Sequence, residues 1–150
     1  MRMAWSGLAG VLLAVASYAW GADGLVIVKS SHSPKETMDR LETMVKQRGL
    51  TVVARIDHAA AGARVGQMLR PTIVLIFGNP QGGTPFIQCA QTVGIDLPLK
   101  ALVWQDGSGQ VWLGYNDPSF LAQRHGAPSC PVTENLRRAL AGLARDAVGP

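Results

Sequence analysis

Pro71 to Phe77 (PTIVLIF) is apolar at every position from Ile73 onward and does not alternate. A strand reads this way when both of its faces are covered, so this run predicts the central strand of a sheet inside a folded domain. It leads straight into Gly78-Asn79-Pro80-Gln81-Gly82-Gly83-Thr84-Pro85, then by way of Ile95-Asp96-Leu97-Pro98-Leu99 into a second apolar strand, Leu99 to Gln105. The rest of the chain reads as approach to this core and closure of it.

The approach begins with Gly24 to Ser31 (GLVIVKSS), a β-branched run that predicts a first strand. Ser33-Pro34-Lys35-Glu36 follows as N-cap, first-position proline and capping box, predicting a helix to about Arg48 that Gly49 ends. Met38, Leu41 and Met44 or Val45 form its buried stripe, with Glu36–Arg40 and Glu42–Lys46 as i,i+4 pairs on the solvent face. Leu50 to Asp57 alternates, placing Leu50, Val52, Ala54 and Ile56 on one face of a half-buried strand. Ala59 to Met68 has helical composition broken by Gly62 and Gly66.

After the Gly78 loop, Thr84-Pro85 predicts a short helix from Pro85 to Val93. Two strands, Leu99 to Gln105 and Gln110 to Asn116, flank the hairpin signal Asp106-Gly107-Ser108-Gly109. A helix over Ser119–His125 and a last amphipathic helix over Val132–Ala147, striped by Leu136, Leu140, Leu143 and Ala147, complete the chain.

With 150 residues and 47% apolar content there is material for one well-buried domain, not two. Residues 1–21 differ in kind. A short positive start and the apolar run Leu8 to Tyr18 precede small residues at Ser17, Ala19 and Gly21, the pattern of a secretory signal peptide. The alternative is a retained anchor, although Trp20, Gly21 and Asp23 cut the run short of a membrane span. Export sets the expected location as periplasmic or secreted, with no membrane attachment after cleavage.

Loss of Arg2 leaves thirteen basic and ten acidic residues, a mild excess with no basic stripe and no interleaved aromatics, so nucleic-acid binding has no support. In an oxidising compartment the even cysteine count favours a Cys89–Cys130 bridge. A buried Cys89 with a free Cys130, and a metal pair, are the competing readings. No CxxC or HxxxH spacing exists to support a metal.

Ser33 through Leu41, Ile56-Asp57-His58, Pro71 with Phe77-Gly78-Asn79-Pro80, Gly83-Thr84-Pro85, Asp96-Leu97-Pro98-Leu99, Val103-Trp104 with Asp106, and Tyr115-Asn116-Asp117-Pro118 together resemble the bacterial domain of unknown function family 302. The resemblance covers Val26 to about Gly126. It implies an α+β fold, a mainly antiparallel sheet with helices on one face similar to half of the TATA-binding protein, commonly assembled as a homodimer. It implies no activity, and the sequence identifies no particular cofactor. Residues 22–126 are then the domain and 127–150 a C-terminal helical extension, with Cys130 outside the family core.

The site expected from these residues lies where the Gly78 loop, His58 and Asp96 meet. Backbone N–H groups of Gly78, Asn79, Gly82, Gly83 and Thr84 at a helix start can cradle an anion, which makes a small polar or anionic molecule the expected ligand. The alternative is a tight connection whose Asn79, Gly82 and Gly83 supply positive φ. Asp57-His58 is the one adjacent acid–imidazole pair. If His58 meets Asp57 or Asp96, an acid–base enzyme, a hydrolase or isomerase, is the rival reading. His32 and His125 read as surface residues. A third reading is an interaction module, docking through the Trp104, Trp112 and Tyr115 hairpin or the C-terminal apolar stripe.

Overall fold

A computed structural model describes residues 22–150. The expected export segment, residues 1–21, lies outside them.

Five strands, β1 (Leu25–Ser30), β2 (Thr51–Asp57), β3 (Thr72–Gly78), β4 (Leu99–Gln105) and β5 (Val111–Asn116), form one antiparallel sheet in the order β1-β5-β4-β3-β2. The helices are α1 (Pro34–Gln47), α2 (His58–Arg64), α3 (Pro80–Cys89), α4 (Pro118–Arg124) and α5 (Thr133–Val148), with a 3-10 turn at Gln91–Ile95. Because every pairing is antiparallel, β1, β4 and β2 end at one edge of the molecule while β3 and β5 end at the other. That alternation decides which loops can meet.

The non-alternating run is an interior strand but not the middle one. β4 holds the middle, and β3 lies between it and the edge strand β2. Ile73, Leu75 and Phe77 point into the core, while Val74 and Ile76 sit half-buried on the opposite face. Neighbouring strands shield that face, so the sequence is apolar on both sides without a helix on each.

α1 starts as expected, with Ser33 Oγ accepting from the Glu36 N–H at 3.2 Å. Met38, Leu41 and Val45 are buried against the sheet and against Leu140, Leu143, Ala144 and Ala147 of α5. The segment 127–150, expected as an extension, is therefore built into the same core as residues 22–126. Glu42 and Lys46 pair at 2.6 Å, whereas Arg40 turns from Glu36 to the end of α5, donating to the carbonyls of Ala147 at 2.9 Å and Gly149 at 2.7 Å. Those carbonyls have no partner within the helix, and a charged donor is worth more there than on an exposed ion pair.

A bulge between Val52 and Ala54 breaks the alternation of β2. One extra residue flips the remainder of the strand. Arg55 comes to the α1 side, where Asp39 at 2.6 Å and Glu42 at 3.1 Å bind it, and Ile56 is left 40% exposed. The hydrogen bonds from Lys35 and Arg55 to Asp39, and from Lys46 and Arg55 to Glu42, hold both carboxyls below their ordinary pKa.

The β4–β5 hairpin forms at the expected residues. Asp106 accepts from the Ser108 hydroxyl at 2.7 Å, from the Ser108 and Gln110 N–H groups, and from the Trp112 indole at 2.8 Å, which lowers its pKa to about 2. Trp104 and Trp112 are cross-strand partners on the face away from α1, and Tyr115 is buried in the core. Trp104 lies over Gly114, where a Cβ would come within 3.0 Å of its ring.

α3 departs from expectation. Asn79-Pro80 is itself an N-cap and first-position proline, and it starts the helix five residues before Thr84-Pro85. Gly82, Gly83 and Thr84 are consequently helical and not a loop, and Pro85 sits inside the helix at the cost of one N–H bond. None of Asn79, Gly82 and Gly83 has positive φ.

Candidate functional site

The apolar residues divide into two clusters. The main core lies between the sheet and α1 and α5. The second gathers Phe86 of α3, Val93, Leu121 and Ala122 of α4, and Cys130, with Leu97 and Leu136 packed against it. Between them, at the end of the sheet where β3 finishes and β2 and β4 begin, is a cavity of about 580 Å³.

Each wall follows from a local choice in the chain. Phe77 and Gly78 end β3, Leu50, Thr51 and Val53 open β2, and Leu97-Pro98-Leu99 leads into β4. α3 contributes Asn79, Gly82, Gly83, Thr84 and Ile87, while α5 contributes Leu136, Ala139, Leu140 and Leu143. The α3 glycines keep that wall low. A Cβ at Gly82 would stand 3.2 Å from Leu136, and one at Gly83 would stand 3.8 Å from Leu97.

Five of the seven residues expected at the site, Gly78, Asn79, Gly82, Gly83 and Thr84, line this cavity. His58 does not. In the β2–β3 ladder Thr51 pairs with Gly78 and Asp57 pairs with Ile73, so His58 follows the opposite end of β2. Six residues of strand put it roughly 20 Å from the glycines. The Asp57 carboxylate accepts from the Ala60 N–H at 2.9 Å as the α2 N-cap, and among the described residues His58 has no side-chain hydrogen bond or ion pair. The expected meeting of the Gly78 bend with His58 does not occur.

Asp96 does meet an imidazole, that of His125. Nε2 of His125 lies 2.7 Å from Asp96 Oδ2 and Nδ1 lies 2.9 Å from Thr92 Oγ1, with Arg124 at 3.2 Å from Asp96 Oδ1. The His125 side chain is 7% exposed, not the surface residue expected. Both ring nitrogens are occupied, and none of these side chains lines the cavity. The cluster clasps α4 to the 3-10 turn, and its geometry gives no free base beside an open site.

The cavity lining carries no charged side chain, and its polar side chains are Thr51, Asn79 and Thr84. The expected anion cradle is largely filled by the protein itself. Asn79 Oδ1 accepts the Gly82 N–H at 2.9 Å, Asn79 O accepts the Gly83 N–H at 3.0 Å, and Pro80 has no N–H to offer. Leu136, Leu140 and Leu143 were legible only as a helical stripe, since nothing local says that a stripe faces a cavity. The Asp96–His125 pair spans 29 positions and has no sequence signal.

Cys89 and Cys130 are joined, with Cα atoms 5.8 Å apart. The bridge ties the C-terminal end of α3 to the segment before α5 and so fixes two cavity walls to each other. Among the described residues no group of three or more His, Cys, Asp or Glu side chains is placed to hold a metal.

An antiparallel sheet backed by two helices, with an apolar cavity at its end, defines a small α+β domain. The chain belongs to the family described as domain of unknown function DUF302, which matches residues 26–143. The crystal structure of an uncharacterized conserved DUF302 protein from Bacillus stearothermophilus superposes with a TM-score of 0.76 at 25% identity, over 84% of this chain and 99% of that one. Proteins called fluoride-specific ion channel FluC 1 in Brucella suis biovar 1 (strain 1330) and Brucella abortus biovar 1 (strain 9-941) are each 52% identical over 102 residues, 68% of this chain. The chain spans 40% and 38% of their lengths. Among the described residues no helix is long and apolar enough to cross a membrane.

Proposed function

We propose that this chain is an exported binding domain that takes a small apolar or amphipathic molecule into the cavity between α3, α5 and the sheet end. The observation that carries this is the uncharged lining around about 580 Å³, a size and composition typical of ligand pockets. It shifts the ligand class away from the small polar molecule expected from the glycines alone. Binding of the neutral probe N-phenyl-1-naphthylamine is expected, followed by fluorescence. Gly83→Leu, which puts a side chain into the cavity from a position with ordinary φ, is expected to cut probe affinity at least about tenfold. Equal probe binding by the folded variant would sink this reading.

The domain acts as a homodimer through the β2 side of the sheet. Val53 (60% exposed), Val65 (73%), Met68 (97%) and Leu69 (54%) lie on β2 or on the segment joining it to β3. So much exposed apolar area on one edge favours a covering partner. Met68→Asp is expected to move the mass measured by light scattering from dimer to monomer. A wild-type monomer at high concentration would remove the dimer. The C-terminal stripe is not available for docking, because Leu140 and Leu143 are 3% and 2% exposed.

A second reading rests on the relatives, in which a sequence 52% identical to this one occupies about two fifths of proteins named as fluoride channels. In that reading the domain modulates an ion channel. Fluoride efflux from vesicles carrying such a channel is expected to change when the chain is added, and an unaltered rate at saturating chain would discard it.

A further inference from the structure

We infer that the molecule held in the cavity is uncharged and carries a hydrogen-bond acceptor, the carbonyl oxygen of a ketone or ester, on an apolar body. This rests on reading the cavity as a ligand site and goes further by assigning the ligand's polar group and the residue that binds it. That residue is Asn79. Its Oδ1 accepts the Gly82 N–H at 2.9 Å as the α3 cap, and since only the oxygen of an amide can accept, the bond fixes which way round the side chain lies. A Cβ on Gly82 would stand 3.4 Å from that oxygen and 3.2 Å from Leu136 Cδ2. The Asn79 amide therefore lies on the side of α3 that faces α5, where the cavity is.

With its oxygen spent on the cap, the amide has two N–H groups left, and among the described residues neither has a protein acceptor. Asn79 is half-buried, whereas Thr51 and Thr84, the other polar side chains of the lining, are exposed, so it is the most enclosed of the three. Its N–H groups can only donate. A ligand carbonyl satisfies them, while a plain hydrocarbon leaves them unpartnered once water is displaced. The lining has no charged side chain to offset the hydration that a carboxylate or an ammonium loses on entry. A charged head of either sign is therefore disfavoured.

The experiment is calorimetric titration of the purified chain with 2-nonanone and with nonanoate, equal in carbon number, at a pH where nonanoate is ionised, alongside fluorescence titration with N-phenyl-1-naphthylamine. 2-Nonanone is expected to bind about tenfold or more tightly than nonanoate. Asn79→Ser keeps a capping oxygen and removes both N–H donors, and Asn79→Asp keeps the cap and turns a carboxylate toward the ligand oxygen. Each is expected to lower the ratio of 2-nonanone affinity to probe affinity about tenfold, because the probe has no carbonyl to lose a bond from. A ketone that binds no more tightly than nonanoate to the wild type, or a ratio unchanged in both variants, overturns the assignment and leaves the apolar cavity standing. A wild-type chain that binds neither the probe nor 2-nonanone overturns the ligand-site reading and this inference with it.

Discussion

Replacing Cys89 and Cys130 together by alanine lowers the free energy of unfolding by roughly 4 kcal/mol, and the melting temperature by roughly 10–15 °C. The residues stand 41 apart in sequence, and tying a loop of that length removes a large share of the unfolded chain's freedom. The native state gains as well, because α3 is otherwise fastened to the body mainly through Phe86. Without the bridge the α3 wall can part from α5, so neutral-probe binding is expected to fall along with stability. A loss below about 1 kcal/mol by urea titration, at unchanged m-value, would show that the bridge constrains little. Protein recovered from the cell envelope is expected to contain no free thiol under denaturing conditions, which ties the bridge to export into an oxidising compartment.

Local signals were the legible ones. Ser33-Pro34 and Asp117-Pro118 mark the starts of α1 and α4 because a cap and a proline act within one turn, and the Asp106–Gly109 hairpin is likewise self-contained. Where two such signals compete, local reading cannot choose. Asn79-Pro80 and Thr84-Pro85 are both valid helix starts, and the earlier one wins because the glycines between them accept helical φ and Phe86 is thereby turned into the second cluster. The bulge in β2 was invisible for a different reason. The strand alternates well by composition, but pairing Arg55 with Asp39 and Glu42 on α1 requires the extra residue.

Direction along the sheet separates what was right about the site from what was not. The Gly78 stretch was identified from its own residues, and it lines the cavity. Joining it to His58 required knowing that β2 and β3 run antiparallel as neighbours, which sends the end of one strand to the start of the other. The α5 wall had no comparable signal. A stripe of Leu136, Leu140 and Leu143 is equally compatible with a filled core and with a lined cavity, and only the distance of α3 from α5 decides between them.

Phe86→Ala is expected to cost about 3–5 kcal/mol, the range for deleting a fully buried ring. Phe86 has no exposed surface and sits against Val93, Leu121, Ala122 and Cys130, so its removal leaves a hole in the smaller of the two clusters. That cluster is what holds α3, the 3-10 turn and α4 together beneath the cavity. The effect therefore has a location as well as a size. Amides of β3, β4 and β5 keep their hydrogen-exchange protection under mild conditions, while those of α3 lose it, because the main core of Leu75, Val103 and Leu113 is untouched. Combined with loss of the Cys89–Cys130 bridge, the two costs fall short of their sum by about 0.5–3 kcal/mol, since a helix released by one change has less left to lose from the other. Strict additivity in that cycle would mean that Phe86 and the bridge do not act on one helix, and α3 would then have to be anchored by contacts other than these two.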